Sequence, residues 1–134
     1  MVSLVDAKES IANQFISDWG ATTAVTLDNE KFEPPVDAAW VRVATRHFGA
    51  NQETLGGVGR RKFERQGIAS IQVFGQLDKG SRAADTLAQQ ARAVFEGKTI
   101  DGIRFRDVVV REIGPTESWY QINVEAEFEY TEVK

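Results

Sequence analysis

The apolar positions of this chain change period several times, and each change marks a change of element. Leu4, Ala7, Ile11 and Phe15, accompanied by Val5, Ala12, Ile16 and Trp19, recur at the spacing of one helix face. Ser3 followed by Asp6 supplies an N-terminal cap and Gly20 a stop, so the pattern predicts a helix to about Asp18. "TTAVTL", residues 22–27, is β-branched and alternating and predicts a strand, which "DNEKFEPPVDA" breaks because Pro34 and Pro35 cannot donate to a ladder. Alternation resumes in "AWVRVATRHF", residues 39–48, and again in "GIASIQVFG", residues 67–75. The intervening residues 49–66 hold four glycines and few apolar side chains, and predict a long mobile loop. After a cap at Asp78 or Ser81, the positions Ala84, Leu87, Ala88, Ala91, Val94 and Phe95 form one apolar stripe ending near Gly97, a second helix with Leu87 expected in the core.

The last third predicts a hairpin, "IRFRDVVVREI" and "WYQINVEAEFEY" around the turn "GPTES". In its second strand Tyr120, Ile122, Val124, Ala126, Phe128 and Tyr130 share one face, while Glu125, Glu127 and Glu129 share the other. The first strand changes parity between Phe105 and Val108, which one extra residue repairs, so a β-bulge is expected at Arg106 or Asp107. The register then expected pairs Val110 with Ile122, Val108 with Val124, Phe105 with Ala126 and Ile103 with Phe128. It sets Arg106 opposite Glu125 and Arg104 opposite Glu127, ion pairs worth roughly 0.2–1 kcal/mol each. The order α-β-β-β-α-β-β predicts an α+β fold: a two-layer sandwich, a mostly antiparallel sheet with both helices on one face. A single domain is expected over residues 1–134, a length that buries about two thirds of its unfolded surface.

Composition narrows the chemistry. The absence of cysteine excludes disulfides, thiolate metal sites and cysteine nucleophiles. His47 is the only histidine, and nothing in the sequence supplies it with a partner set. Alternating glutamates on a strand face are ordinary solvated surface. "LGGVGRRK" lacks both the G-x-x-x-x-G-K-[ST] and G-x-G-x-x-G spacings of phosphate loops. No catalytic residues, metal or cofactor are therefore expected, and Trp40 after the proline pair is expected to pack at the sheet margin. The start of the chain lacks the basic and uninterrupted apolar regions of a signal peptide, and no stretch reaches the roughly 20 apolar residues of a membrane span, so a cytoplasmic protein is expected.

"GGVGRRKFERQG", residues 56–67, concentrates Arg60, Arg61, Lys62 and Arg65 around Phe63 in a chain of net charge −4. Phosphate contact with base stacking is one use of such a stretch, a small single-stranded nucleic-acid-binding module. The overall negative charge opposes a polyanion and leaves contact with another protein as the other use.

Taken in order, "PPVDAAWVRVATRHFG", "LGGVGRRKFERQGIASIQVFG", "AQQARAVFEGKTIDGIRFR" and "SWYQINVEAEFEY" resemble the tail terminator, or tail completion, proteins of long non-contractile-tailed bacteriophages and prophages. The resemblance covers about Phe32 to Tyr130. It implies a non-enzymatic virion protein, monomeric or weakly associated in solution, that forms a hexameric ring on the head-proximal end of the tail tube. There it stops polymerisation and presents the head-joining surface. The implied partners are other copies of itself, the tail tube protein and a head–tail connector protein, with DNA only as passing cargo; the location is host cytoplasm and then virion tail. On this reading Arg60, Arg61, Lys62, Phe63, Arg65, Arg104, Arg106, Glu125 and Glu127 are the candidate assembly interface.

Overall fold

The computed structural model describes residues 2–134. Its elements run α1 (Leu4–Trp19), β1 (Ala24–Leu27), β2 (Trp40–Gln52), β3 (Lys62–Gly75), α2 (Arg82–Phe95), β4 (Thr99–Ile100), β5 (Ile103–Pro115) and β6 (Tyr120–Val133). The strands form one six-stranded sheet in the order β1-β2-β3-β6-β5-β4. Every pairing is antiparallel except β1 with β2, which is parallel. The molecule is thus an α+β protein with two helices and a mostly antiparallel sheet. The proline-containing segment 28–39 is what permits the parallel pair, because a parallel connection must travel the length of a strand before it returns.

Local chemistry explains both helices. Ser3 Oγ accepts from the Asp6 N–H at 3.2 Å, and Asp6 accepts from the Ser3 N–H at 3.4 Å, a reciprocal capping box that satisfies two otherwise orphaned donors. α1 stops at Gly20, whose φ of 59° suits a residue without Cβ. Trp19 then donates from its indole to Thr23 Oγ1 at 2.9 Å and anchors the approach to β1. Ser81 occupies the cap position of α2 without a side-chain cap bond.

One core cluster joins Ala7, Ile11, Phe15 and Trp19 of α1 and Ala84, Ala88, Ala91, Val94 and Phe95 of α2 to the inward positions of β2, β3, β5 and β6. The alanines let α2 lie close to the sheet: a Cβ added at Gly75 would stand 3.1 Å from that of Ala84. Leu87, expected inside, is only partly buried at the edge of this cluster.

The bulge expected near Asp107 is present, between Phe105 and Val108, but the register differs by two residues. Val110 pairs with Val124, Val108 with Ala126 and Phe105 with Phe128. A second irregularity lies between Glu112 and Gly114. Two elements went unforeseen: the short edge strand β4, and the extension of β2 and β3 into the region expected to be loop.

Candidate assembly interface

Beyond a register shift between His47 and Gly49, β2, β3 and β6 continue together as a three-stranded ribbon. Across it, Ala50 pairs with Arg65 and Arg65 with Tyr130; Gln52 pairs with Phe63 and Phe63 with Glu132. Reciprocal backbone bonds of 3.1 and 2.9 Å between Arg61 and Lys134 close its end. The loop expected over 49–66 is therefore confined to residues 53–61. Backbone pairing does not require apolar side chains, and β6 offers β3 a complete second ladder, so polar residues 49–52 and 62–66 are held as strand.

Within the hairpin tip, Lys62 N–H donates to Thr54 Oγ1 at 2.9 Å and Arg60 N–H to the Gly57 carbonyl at 3.0 Å. Leu55 and Val58 are 94% and 87% exposed there, so the tip carries apolar surface that its own domain leaves uncovered.

The basic residues divide by position. Arg60 lies in the turn and Lys62 is exposed at the start of β3. Residues 61, 63 and 65 alternate onto one side of that strand. Both Arg61 and Arg65 place guanidinium carbons over the Phe63 ring, at 5.9 and 5.1 Å. Arg65 also pairs with Glu132 at 3.1 Å, where the two side chains are 21% and 14% exposed. Phe63 is therefore engaged with its own arginines, which opposes its use as a stacking platform for bases.

The division has a testable consequence. Arg65→Ala is expected to cost about 1 kcal/mol, because a partly buried ion pair and a cation–π contact go together. Arg60→Ala should stay within about 0.5 kcal/mol of the parent. Urea denaturation of both variants checks this, and equal midpoints would refute it.

Arg104, Arg106, Glu125 and Glu127 are on the β5–β6 part of the sheet, with partners other than those expected. Arg104 and Arg106 both reach Glu129, each at 3.4 Å, and Glu125 pairs with Arg111. The two-residue change of register is the cause, since it moves every cross-strand neighbour along by one same-face step. Among the described residues Glu127 has no ion-pair partner. The basic hairpin and this charge ladder meet along β6, where Glu129 pairs with Gln66 at the foot of the ribbon.

His47 is at that foot as well. Its Nε2 lies 2.7 Å from the Tyr130 hydroxyl, and its ring stands edge-on to Phe128 and Tyr130. Nδ1 is buried without a hydrogen-bond partner. Burial, then Lys8 and Arg65, hold the imidazole pKa below its ordinary value of 6.5, against the pull of Glu132. Because the folded pKa is the lower one, the unfolded chain binds the proton first as pH falls. Stability from this site should be complete above about pH 6.5 and decline below it until the folded pKa is passed. His47→Gln should flatten that decline in melting temperature; an unchanged slope would show that other groups cause it.

Comparison with known proteins identifies the family. The model of the family described as phage tail terminator protein matches residues 8–128. The chain belongs to the phage tail terminator family. This is a family of phage tail structural proteins, so a place in the virion tail and contact with tail and head components follow from membership. No curated protein matches the chain in sequence. A solved structure is similar with a TM-score of 0.71 at 18% identity, over 97% of this chain and 96% of its own, which supports the fold alone.

The tail terminator match includes all of β2, β3 and α2 and ends at Phe128, where the last ribbon segment of β6 begins. Among the described residues no group of His, Cys, Asp or Glu is arranged to hold a metal ion, and no helix is long and apolar enough to cross a membrane. Trp40, expected to pack at the sheet margin, is buried outside the main core, stacked on Phe74 at 4.1 Å and flanked by Phe32 and Trp119, an aromatic cluster that the sequence did not signal. Arg42 lies over its ring at 5.3 Å. The strand pairing of Trp40 with Phe74 assembles this second cluster, and it fastens the segment 28–39 onto the sheet.

Proposed function

We propose that the protein caps the head-proximal end of a phage tail tube as a homo-hexameric ring, stops tube polymerisation and presents the surface that joins the head. Membership of the tail terminator family over residues 8–128 carries this reading. The uncovered Leu55 and Val58 on the hairpin support it, because apolar side chains at a strand-borne tip gain from burial only against a partner. In solution the subunit is a monomer or weak oligomer, and the tube end brings copies together. The tip, residues 53–61, is mobile in the free subunit and ordered on assembly, since its glycines at 56, 57 and 59 raise the entropy cost of fixing it. The β6 face with Glu125, Glu127 and Glu129 lines the channel through which DNA passes, Arg104, Arg106 and Arg111 limiting repulsion between subunits.

Tail tube protein polymerised with and without this protein tests the reading. Tubes should stop growing when the protein is present, with rings visible at one end by electron microscopy. Continued growth at molar excess, without end-bound rings, would overturn it.

A further inference from the structure

Resting on the ring reading, we infer that the hairpin tip of one subunit docks on the outward face of α1 of the next copy. The two surfaces are complementary in shape of charge and in apolar content. The tip offers Leu55 and Val58, almost fully exposed, beside Arg60, Arg61 and Lys62. α1 turns Ala7, Ile11, Phe15 and Trp19 inward, and on the other side leaves Val5 60% and Ile16 44% exposed. Helical spacing puts Glu9 and Ala12 between them on one stripe. Beside it runs a shallow groove of about 400 Å³ with Asp6, Glu9 and Asp101 along its lining and no cation. None of these three carboxylates forms an ion pair among the described residues.

Charge also disfavours two competing seats. The groove of about 780 Å³ between Ala24, Pro35, Ala39 and Leu87 has an apolar floor, but Lys79 and Arg82 on its rim would repel a cationic tip. On the β6 face, Glu125 and Glu129 are already committed to arginines of their own chain. α1 combines uncovered aliphatic side chains with uncompensated negative charge on one regular element, whereas Val36, exposed between Glu33 and Asp37, belongs to the connecting segment 28–39. Tip and helix are different patches of one chain, so the contact is heterologous and generates a ring where the rotation closes. Both patches are small, which accounts for assembly that waits on the tube end to raise the effective concentration of neighbours.

The lack of native cysteine makes a clean test possible. Val5→Cys and Val58→Cys together, assembled on tail tubes and mildly oxidised, should give a disulfide ladder extending beyond dimers, whereas either substitution alone should give no product above dimer. Independently, Glu9→Lys should lower tube capping about tenfold or more, most at low salt, and Arg60→Glu in the same chain should restore it. If the cysteine variants fail to cap tubes, this charge exchange decides the matter. Capping that persists without a ladder, or without response to the exchange, overturns the tip-to-helix contact and leaves the ring reading standing. Failure of the unmodified protein to cap tubes takes both down.

Discussion

Phe95→Ala should lower the stability of the folded subunit by about 3–5 kcal/mol, among the largest effects of any single truncation in this chain. Phe95 is fully buried at the end of α2, with its ring centroid 4.8 Å from that of Phe105 on β5 and 6.2 Å from that of Phe15 on α1. It therefore joins both helices to the sheet, and the void left by its ring would be lined by aromatic walls that cannot collapse inward without leaving their rotamers. The denaturation midpoint in urea should fall while its slope is unchanged. A midpoint within experimental error of the parent would contradict the packing described above. Leu87→Ala should cost clearly less, because Leu87 only borders the core.

Gly67→Ala should be nearly as damaging although it adds a single methyl group. A Cβ at position 67 would stand 2.5 Å from the Arg46 carbonyl oxygen and 2.5 Å from Phe128 Cζ. One obstacle is backbone of the neighbouring strand and the other a ring in the core, so neither can yield without disturbing the ladder or His47, which packs edge-on against that ring. A cost of about 3 kcal/mol is expected, at the upper end for overpacking, with a melting temperature lower by on the order of 10 °C. Calorimetry measures it directly. An unperturbed melt would mean that β2 and β3 can separate at this point without penalty. Gly49→Ala should be milder, since its nearest obstacle is the flexible end of the Gln66 side chain.

The parts of the fold visible in the sequence are those where burial imposes a period. Ile122, Val124, Ala126 and Phe128 alternate because one side of β6 faces the helices, and all four are buried as that alternation requires. The bulge beside Asp107 was legible for the same reason, since only an inserted residue reconciles Phe105 with Val108. Register was not, because a slip of two residues preserves every in/out assignment and exchanges only the partners. What selects it is the turn joining β5 to β6, where the Thr116 N–H donates to the Trp119 carbonyl at 2.7 Å between the paired Pro115 and Tyr120. Asp101 and Gly102 adopt φ of 50° and 83° to close the tight hairpin between Ile100 and Ile103, and Gly114 takes φ of 93° beside the second irregularity. The Asp-Gly pair is itself a strong hairpin signal, and through it β4 was within reach of sequence reasoning. The basic cluster around Phe63 stood out by composition alone. Its partner Glu132 did not, since the bond joins residues 67 positions apart through a pairing of β3 with β6 that no local pattern encodes.

That pairing bears on when a subunit becomes usable. β3 occupies the middle of the sheet beside β6, and Ala69 meets Ala126 across a long intervening stretch of chain. During synthesis β2 and β3 emerge well before β6, so the hairpin and its cationic tip exist early but lack their third strand. The Arg65–Glu132 pair and the backbone bonds between Arg61 and Lys134 can form only after the segment from β6 to Lys134 has been made. Nascent chains therefore carry a hairpin held on one edge only. Pairing with β6 is the event that stiffens it into a presentable arm, and a truncated product that stops before Glu129 would lack the part of the strand on which that stiffness depends.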